Sequence, residues 1–535
     1  MLTQTEIHCT MKHIEGQIVD VLNRDIFSGS VDIENGKIVA VNRHATKETV
    51  YIMPGFVDAH IHVESSMLAP CEYARLAMKH GTVAIVTDPH EIANVCGVEG
   101  VRYMMAESDR TPMKMCFAVP SCVPATALCP SGAVVDSTQV AELLKDPHVY
   151  ALAEMMDYVG VINHDAECVA KLAAARQAGK PVDGHIPCIT GEDLCHYVEE
   201  GISTDHEVNT LAEAEEKMEL GMKILLRRGS AARNLKVLHP LIAQHADKLM
   251  FCTDDQKAFD LQNGHINKMV ASEVQLGYDL FDLLRIASVN PVRHYHLPVG
   301  LLQPGDPADF ILCKSLTTFD VAETYIDGEP TSGIDYQPVE RIINNFKVQP
   351  ITTSQIAYDL SQCEELHVIK VKDGELITPH LVLKRDEWDD IQKIVVVNRY
   401  QENPSIGVGF LANFNITNGA VAQSIAHDSH HIIATGSSDE LIVKAINRLI
   451  EMQGGIVVVD EHSETTLPLP IGGLMSNEPA EAVAAKQIAL IQHLRRLGCT
   501  HFSPLIALAF LELVVIPELK ITDKGLFDVV KFEYI

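Results

Sequence analysis

Histidines and carboxylates recur along this chain in short runs whose types and spacing suit metal chemistry. His60 and His62 stand two apart in Pro54-Gly55-Phe56-Val57-Asp58-Ala59-His60-Ile61-His62, directly after an apolar run from Val50 to Met53. Side chains alternate faces along a strand, so the two imidazoles point the same way. Alone, such a pair fits two ordinary polar loop residues as well as it fits half of a metal site. Further along come Asp88-Pro89-His90-Glu91, Glu154, His185, His206-Glu207 and Asp254-Asp255. Histidines with carboxylates hold one or two divalent metals while leaving coordination room for water. A bound metal brings the pKa of that water down to about 7, which makes hydroxide at neutral pH. Two metals sharing a hydroxide need a bridging ligand with two oxygens, and Glu154 is the candidate bridge. Asp254 is the candidate for a ligand that also takes the nucleophile's proton and passes it to the leaving group.

Elements that bring these groups together follow from the pattern around them. Candidate strands are 50–58, 82–88, 113–120, 149–156, 181–186, 202–206, 222–228 and 248–254, most of them followed by helical segments. The helices include Glu72 to Lys79, Ala166 to Ala178 before Gly179, Thr210 to Leu220 before Gly221, and Ile266 to Ser288. Eight β/α units in sequence predict a TIM barrel; a doubly wound open sheet is the alternative. Catalytic groups of a TIM barrel lie at the C-terminal ends of its strands, and the histidine and carboxylate runs fall at those ends.

Before the barrel, strands 17–22, 30–33 and 37–41 are expected, with a hairpin at Glu34-Asn35-Gly36-Lys37. Strand-like pieces after residue 300 are expected to rejoin them, so that 1–53 and 300–350 form a β-sandwich around the 54–299 barrel. Residues 351–535 read as a separate C-terminal α/β domain. It has strands Lys393 to Val397 and Gly455 to Val459, and helices Asp439 to Met452 and Pro479 to Leu497. The 535 residues carry a formal net charge of −30, which argues against nucleic acid or an anionic membrane as partner. Met1 to Gln17 lacks the features of a signal peptide, and the run Ile506 to Ile516, which contains Glu512, is too short to span a bilayer. Thirteen scattered cysteines suggest reduced thiols. A cytoplasmic location and a homo-oligomeric assembly are expected.

The 54–62 run resembles the opening motif of the amidohydrolase superfamily, and Val63-Glu64-Ser65-Ser66-Met67 narrows the resemblance to the adenine deaminase family. Asp88 to Val95, Pro120-Ser121-Cys122-Val123-Pro124-Ala125, Glu154-Met155-Met156 and Val182-Asp183-Gly184-His185 are similar in the same way. So are Thr204-Asp205-His206-Glu207, Gly229 to Asn234, Thr253-Asp254-Asp255, Ala426-His427-Asp428-Ser429-His430 and Leu467 to Ser476. The resemblance covers nearly the whole chain, in order, and implies an adenine-deaminase-type C-terminal domain at 351–535. It implies hydrolysis of a small-molecule purine, adenine to hypoxanthine and ammonia, for purine salvage. The cofactor it implies is a binuclear Mn2+ centre, with Fe2+ or Zn2+ as alternatives. By the same resemblance His60, His62, His185 and His206 are ligands, Glu154 bridges, and Asp254 is ligand and proton carrier. His90 ligates or hydrogen-bonds the substrate; Glu64, Glu91, Ser121, Glu207 and Asp255 line the pocket or hold the ligands.

Two departures from the family pattern stand at the active face: Gln256-Lys257-Ala258 replaces an expected His-Pro pair, and Ile186-Pro187-Cys188-Ile189 is bulkier than expected. They motivate a second reading, an amidohydrolase of another amino-purine or a cyclic amide. A third reading, a catalytically silent scaffold, would be expected to have lost a ligand. His62-Val63-Glu64 matches half of a zinc nucleoside-deaminase signature, but Pro70-Cys71 and Pro187-Cys188 lack the second cysteine. Gly407-Val408-Gly409-Phe410-Leu411-Ala412 imitates a dinucleotide fingerprint and is read as chance. His427, His430 and His431 have spacing that permits metal binding, and packing of their loop against the barrel mouth is the expectation kept for them.

Overall fold

The computed structural model describes residues 11–126, 131–230, 233–334 and 336–535. Ala231 and Ala232 of the 229–234 motif, and the first ten residues of the stretch read for a signal peptide, lie outside the described residues. Eight parallel strands build the barrel: β1 Phe56–Ile61, β2 Thr82–Thr87, β3 Lys114–Val119, β4 Val149–Met155, β5 Val182–Gly184, β6 Thr204–Asp205, β7 Lys223–Arg227 and β8 Leu249–Cys252. β1 to β5 form one ladder in chain order and β6 to β8 another. Single parallel bridges, Val182 to Ile202 and Ile61 to Asp254, join the two and close the ring. Strands β1, β2 and β8 are buried throughout, as parallel strands covered on both faces must be.

Local signals set most helix limits. Ala166–Ala178 starts where the Asp165 side chain accepts from the amides of Glu167 and Cys168, and stops at Gly179 with φ 65°. The single helix expected over Ile266 to Ser288 is instead interrupted. Ile266–Gln275 ends before Gly277, at φ 94°, and Asp279 restarts the chain by accepting from the amides of Phe281 and Asp282. The new helix, Leu280–Leu284, runs on into a π-helical turn over Arg285–Val289. A glycine stop followed by an aspartate cap outweighs a continuous apolar period.

Strands from both flanks of the barrel pair in one seven-stranded sheet, in which Tyr51–Pro54 lies between Lys12–Asp20 and Phe310–Cys313. Asn35 and Gly36, both at positive φ, make its tight hairpin. The sheet's far edge folds back, with Ile38 N donating to Asp306 O at 2.9 Å, and encloses Ile18, Val31, Ile33, Ile52 and Phe310.

Beyond residue 364 an eight-stranded, mostly antiparallel sheet carries the helix Asp439–Glu451. The glycine-rich 407–412 run is one of its strands, Ile406–Ala412. A Cβ on Gly407 would stand 2.0 Å from Thr522 O, so glycine here admits the hairpin of Leu519–Thr522 and Gly525–Asp528. This region lies against the barrel mouth. Ser476 N donates to Met67 O at 2.9 Å, Gln487 Nε2 to Ser66 O at 3.1 Å and Ala480 N to Glu72 Oε2 at 2.8 Å. One apolar core runs through both, from Ile92 and Val95 to Leu469, Ile471 and Leu474.

Lys520 sits fully buried in the small hairpin, donating to Leu376 O and Phe510 O, both at 3.0 Å. Burial pulls its pKa down to about 7. An unfolded lysine titrates near about 10.4. Between these values the unfolded chain holds a proton that the folded chain has released, so stability rises with pH across that window, by about 1.4 kcal/mol per pH unit. Thermal midpoints of the wild type and of Lys520→Met, taken from pH 7.5 to 9.5, are expected to diverge in favour of the wild type; parallel curves would contradict the buried titration.

Candidate metal centre

Seven of the residues singled out from the sequence meet at the C-terminal mouth of the barrel. Strand β1 delivers His60 and, one step past its end, His62; β4 delivers Glu154; β5 and β6 lead to His185 and His206; β8 leads to Asp254. His90 opens the helix His90–Cys96 after β2. All but His185 are buried below a tenth exposure.

Glu154 stands at the centre, and its two oxygens face different imidazoles. Oε1 lies 3.2 Å from His62 Nε2, 3.5 Å from His90 Nδ1 and 3.9 Å from His60 Nε2. Oε2 lies 2.8 Å from His185 Nδ1 and 3.2 Å from His206 Nε2. Asp254 Oδ1 lies 3.2 Å from His62 Nε2 and 3.5 Å from His60 Nε2. Burial alone would raise both carboxyls. The histidines around Glu154, and Arg227 and the histidines around Asp254, instead hold both well below the ordinary carboxylate range. The same pairing, working against burial, carries His62 well above its ordinary value and His206 up to about 9.

Such a donor set calls for a cation. His62 Nδ1 donates to Asp88 O at 3.0 Å, which leaves the Nε2 lone pair facing the oxygens of Glu154 and Asp254. Lone pair against lone pair is repulsive unless a proton or metal lies between. His60 Nε2 is buried and makes no hydrogen bond. Nitrogen and oxygen donors in this number fit a divalent transition metal, and Glu154, with one oxygen toward each histidine group, fits a bridge between two.

Other residues support this set. Asp88, whose Oδ2 lies 2.9 Å from His90 Nδ1, fixes His90 with its carboxylate and His62 with its carbonyl. Arg227, at the end of β7, donates to Asp254 Oδ2 at 2.5 Å and to Glu207 Oε2 at 3.1 Å, so Glu207 reaches the centre through Arg227. Asn234 Nδ2 donates to His206 O at 3.0 Å, which gives the 229–234 motif its place. Glu64 accepts from Ile92 N at 3.1 Å, in the first turn of the helix that carries His90; burial raises its pKa to about 7. Ser121 Oγ is spent on Glu154 O at 2.5 Å, and Asp255 accepts from Ser65 Oγ. Glu91 stands between the centre and the C-terminal region: it pairs with His427 and His430, with His427 Nδ1 at 2.6 Å, and its Oε1 lies 3.7 Å from His90 Nε2. His431 pairs elsewhere, with Glu512 at 2.5 Å.

Sequence reasoning gave Asp88 no role beyond its place in a run suited to metal chemistry, and assigned none to Arg227 or Asp428. Each carried a signal. Asp88 opens the Asp-Pro-His-Glu run, Arg227 ends a recognised strand, and Asp428 lies inside the 426–430 motif.

Residues 51–331 match the model of the amidohydrolase family. Residues 364–533 match the adenine deaminase C-terminal domain. The chain therefore belongs to the amidohydrolases. Within them it belongs to the adenine deaminase family. The adenine deaminase of Methanosarcina mazei is 45% identical, over 98% of this chain and 99% of its own length. That of Sulfurovum sp. is 47% identical over the same shares. Among solved structures, a beta-aspartyl dipeptidase from Fervidobacterium islandicum AW-1 is 14% identical and aligns over 62% of this chain and 99% of its own, with a TM-score of 0.46. Membership of the amidohydrolases implies a divalent metal.

Arg227 is 3% exposed and holds two acidic groups together. Its replacement in Arg227→Met leaves Glu207 and Asp254 facing each other without their cation, and removing one partner of a buried pair costs about 3–5 kcal/mol. A clear drop in thermal midpoint is expected by scanning calorimetry, and an unchanged midpoint would show that the pairing contributes nothing.

Proposed function

We propose that this chain catalyses the hydrolytic deamination of adenine to hypoxanthine and ammonia. The carrying observation is the Glu154 carboxylate, with one oxygen toward His62, His90 and His60 and the other toward His185 and His206, in a chain similar to an adenine deaminase over 98% of its length.

His60, His62, His185, His206, Glu154 and Asp254 would hold two divalent ions, manganese in our reading, with iron or zinc as alternatives that the same donors accept. When bound, the pair supplies Lewis acidity and hydroxide at neutral pH. Asp254 takes the proton released by the attacking water, whose oxygen adds to C6 of the purine, and delivers it to the amino nitrogen. The bond from C6 to the amino nitrogen breaks and ammonia leaves, while the hydroxyl proton of the adduct passes to N1, so that the C6 carbonyl and the N1–H of hypoxanthine remain. Arg227 holds Oδ2 of Asp254, which keeps Oδ1 turned to the histidines. Asp88 holds His90 by Nδ1, leaving Nε2 to hydrogen-bond the adduct at C6.

The two departures from the family pattern do not favour another substrate. Lys257 Nζ donates to Ser65 O at 3.0 Å, and Ile186 O accepts from Lys217 Nζ at 2.6 Å, so both segments are tied into the scaffold. A silent scaffold is disfavoured because every expected ligand is present at the mouth. The three-part division at 1–53 with 300–350, 54–299 and 351–535, a cytoplasmic location, a homo-oligomer, and the absence of nucleic-acid or membrane partners belong to the same reading. Among the described residues no helix is long and apolar enough to cross a membrane.

Ammonia release from adenine by manganese-loaded protein tests the reaction; no release would sink it. Stripping the metal with a chelator is expected to abolish turnover, and manganese to restore it. Asp254→Asn is expected to lower kcat by about 10²–10⁴-fold. Glu154→Gln is expected, in addition, to lose bound metal by elemental analysis; two equivalents retained with full turnover would remove Glu154 from the bridging role.

A further inference from the structure

The segment Ala426–His431 of the C-terminal region meets Glu91, next to His90 of the centre, and all six of its residues are buried. Its backbone and most of its side chains are committed within the protein. His427 N donates to Ala509 O at 3.0 Å, Tyr400 Oη to Ser429 O at 2.6 Å and His430 N to Ala426 O at 2.6 Å. His427 and His430 pair with Glu91, His431 pairs with Glu512, and the His427 ring stacks on Phe510 at 4.4 Å between centroids.

Asp428 is different. It is 7% exposed, and its Oδ2 is buried with no hydrogen-bond partner. Its Oδ1 lies 4.0 Å from His427 Nδ1, which meets Glu91 Oε1 at 2.6 Å, and that same oxygen lies 3.7 Å from His90 Nε2, so the carboxyl stands in a chain of contacts that leads to the metal centre. His427 Nδ1, at 4.0 Å from Oδ1, is committed to Glu91. A buried carboxylate oxygen without a donor is costly, and native proteins keep such groups for a donor that arrives.

We propose that Asp428 is the substrate-recognition residue contributed by the C-terminal region, its carboxylate accepting a hydrogen bond from an N–H of the purine base. The inference rests on adenine as substrate. A purine free base carries N–H donors on its ring and, in adenine, on its amino group, and an N–H held away from water needs an acceptor. The carboxylate therefore supplies the complementary group. Its immediate neighbours are tied to Glu91, Ala509 and Tyr400, which fixes the backbone on either side of it. This arrangement explains why the C-terminal region carries a rigid loop of polar residues where a plain lid would need only apolar ones.

The test compares the manganese-loaded wild type with Asp428→Asn and Asp428→Ser in three measurements: adenine turnover, calorimetric binding of hypoxanthine, and thermal midpoint with metal content. Loss of a hydrogen bond to a charged group predicts hypoxanthine affinity and kcat/KM for adenine reduced about 10- to 100-fold. Metal content should be unchanged, and the midpoint of Asp428→Asn equal to or above that of the wild type, because an unpartnered buried charge is removed. A purely structural Asp428 would give the reverse, a lowered midpoint with affinity kept, and would overturn the proposal. So would affinity and kcat/KM within twofold of the wild type in both variants. If the wild type itself neither deaminates adenine nor binds hypoxanthine, the proposed function falls, and the role of Asp428 with it.

Discussion

The structure depends on balancing the charge of two carboxylates, Glu154 and Asp254, buried together at the mouth of a barrel. Neither is tolerable there alone, because an ionised group removed from water costs several kcal/mol or more unless it is paired. The chain answers with imidazoles on four separate strand ends or turns, and with Arg227 behind Asp254. None of these partners is local in sequence. Only closing the eight strands into a ring brings them within reach of Glu154, so the charge balance and the barrel closure require each other.

The same logic extends outward to the C-terminal region. Glu91 follows His90 in sequence and keeps Oε1 3.7 Å from its Nε2, yet it pairs with two histidines on the other side of the junction. Burial would raise this carboxyl, but His427 and His430 hold it well below its ordinary value. Together with Gln487 on Ser66 O and Ser476 on Met67 O, this pairing fixes the C-terminal region to the turn that follows His62. The residues that hold the cover are thus sequence neighbours of His62 and His90, two members of the centre. A cover so placed excludes water, and in a drier site each charge pair at the centre acts more strongly.

Much of this was legible in the sequence because the chemistry and the periodicity agree. Eight strand-like runs and a histidine or carboxylate at most of their ends locate the barrel and seven members of the centre. The hairpin at Asn35-Gly36 and the stop at Gly179 were readable for a local reason, since both need positive φ. Less legible were features set by tertiary pairing. The break at Gly277 and Asp279 hides inside an apolar period that continues on either side. Arg227 reads as an ordinary strand-end cation until Glu207 and Asp254 are seen to flank it. Glu91 and Ser121 look like pocket groups, but their partners, His430 and the Glu154 carbonyl, lie 339 and 33 residues away. Spacing reports which face a side chain takes; it does not report what stands opposite.

The seam where β1 meets β8 draws these strands of argument together. Asp254 adopts φ 56°, a left-handed conformation that aspartate tolerates better than most residues. In that conformation its amide donates to His60 O at 2.9 Å while its carbonyl accepts from His62 N at 3.4 Å. The backbone bonds that shut the ring at this seam are therefore made by the three residues whose side chains form one group that could hold a metal ion. Beyond them, Asp255 accepts from Ser65 Oγ and Lys257 donates to Ser65 O, which ties the loop after β8 to the turn after β1. Lys257 stands in the segment that departs from the family pattern, and a buried ammonium there fastens the seam. Variation in that loop can thus change how the ring is locked without touching the donors, because the donors are held by the backbone ladder, and the lock lies one turn further out.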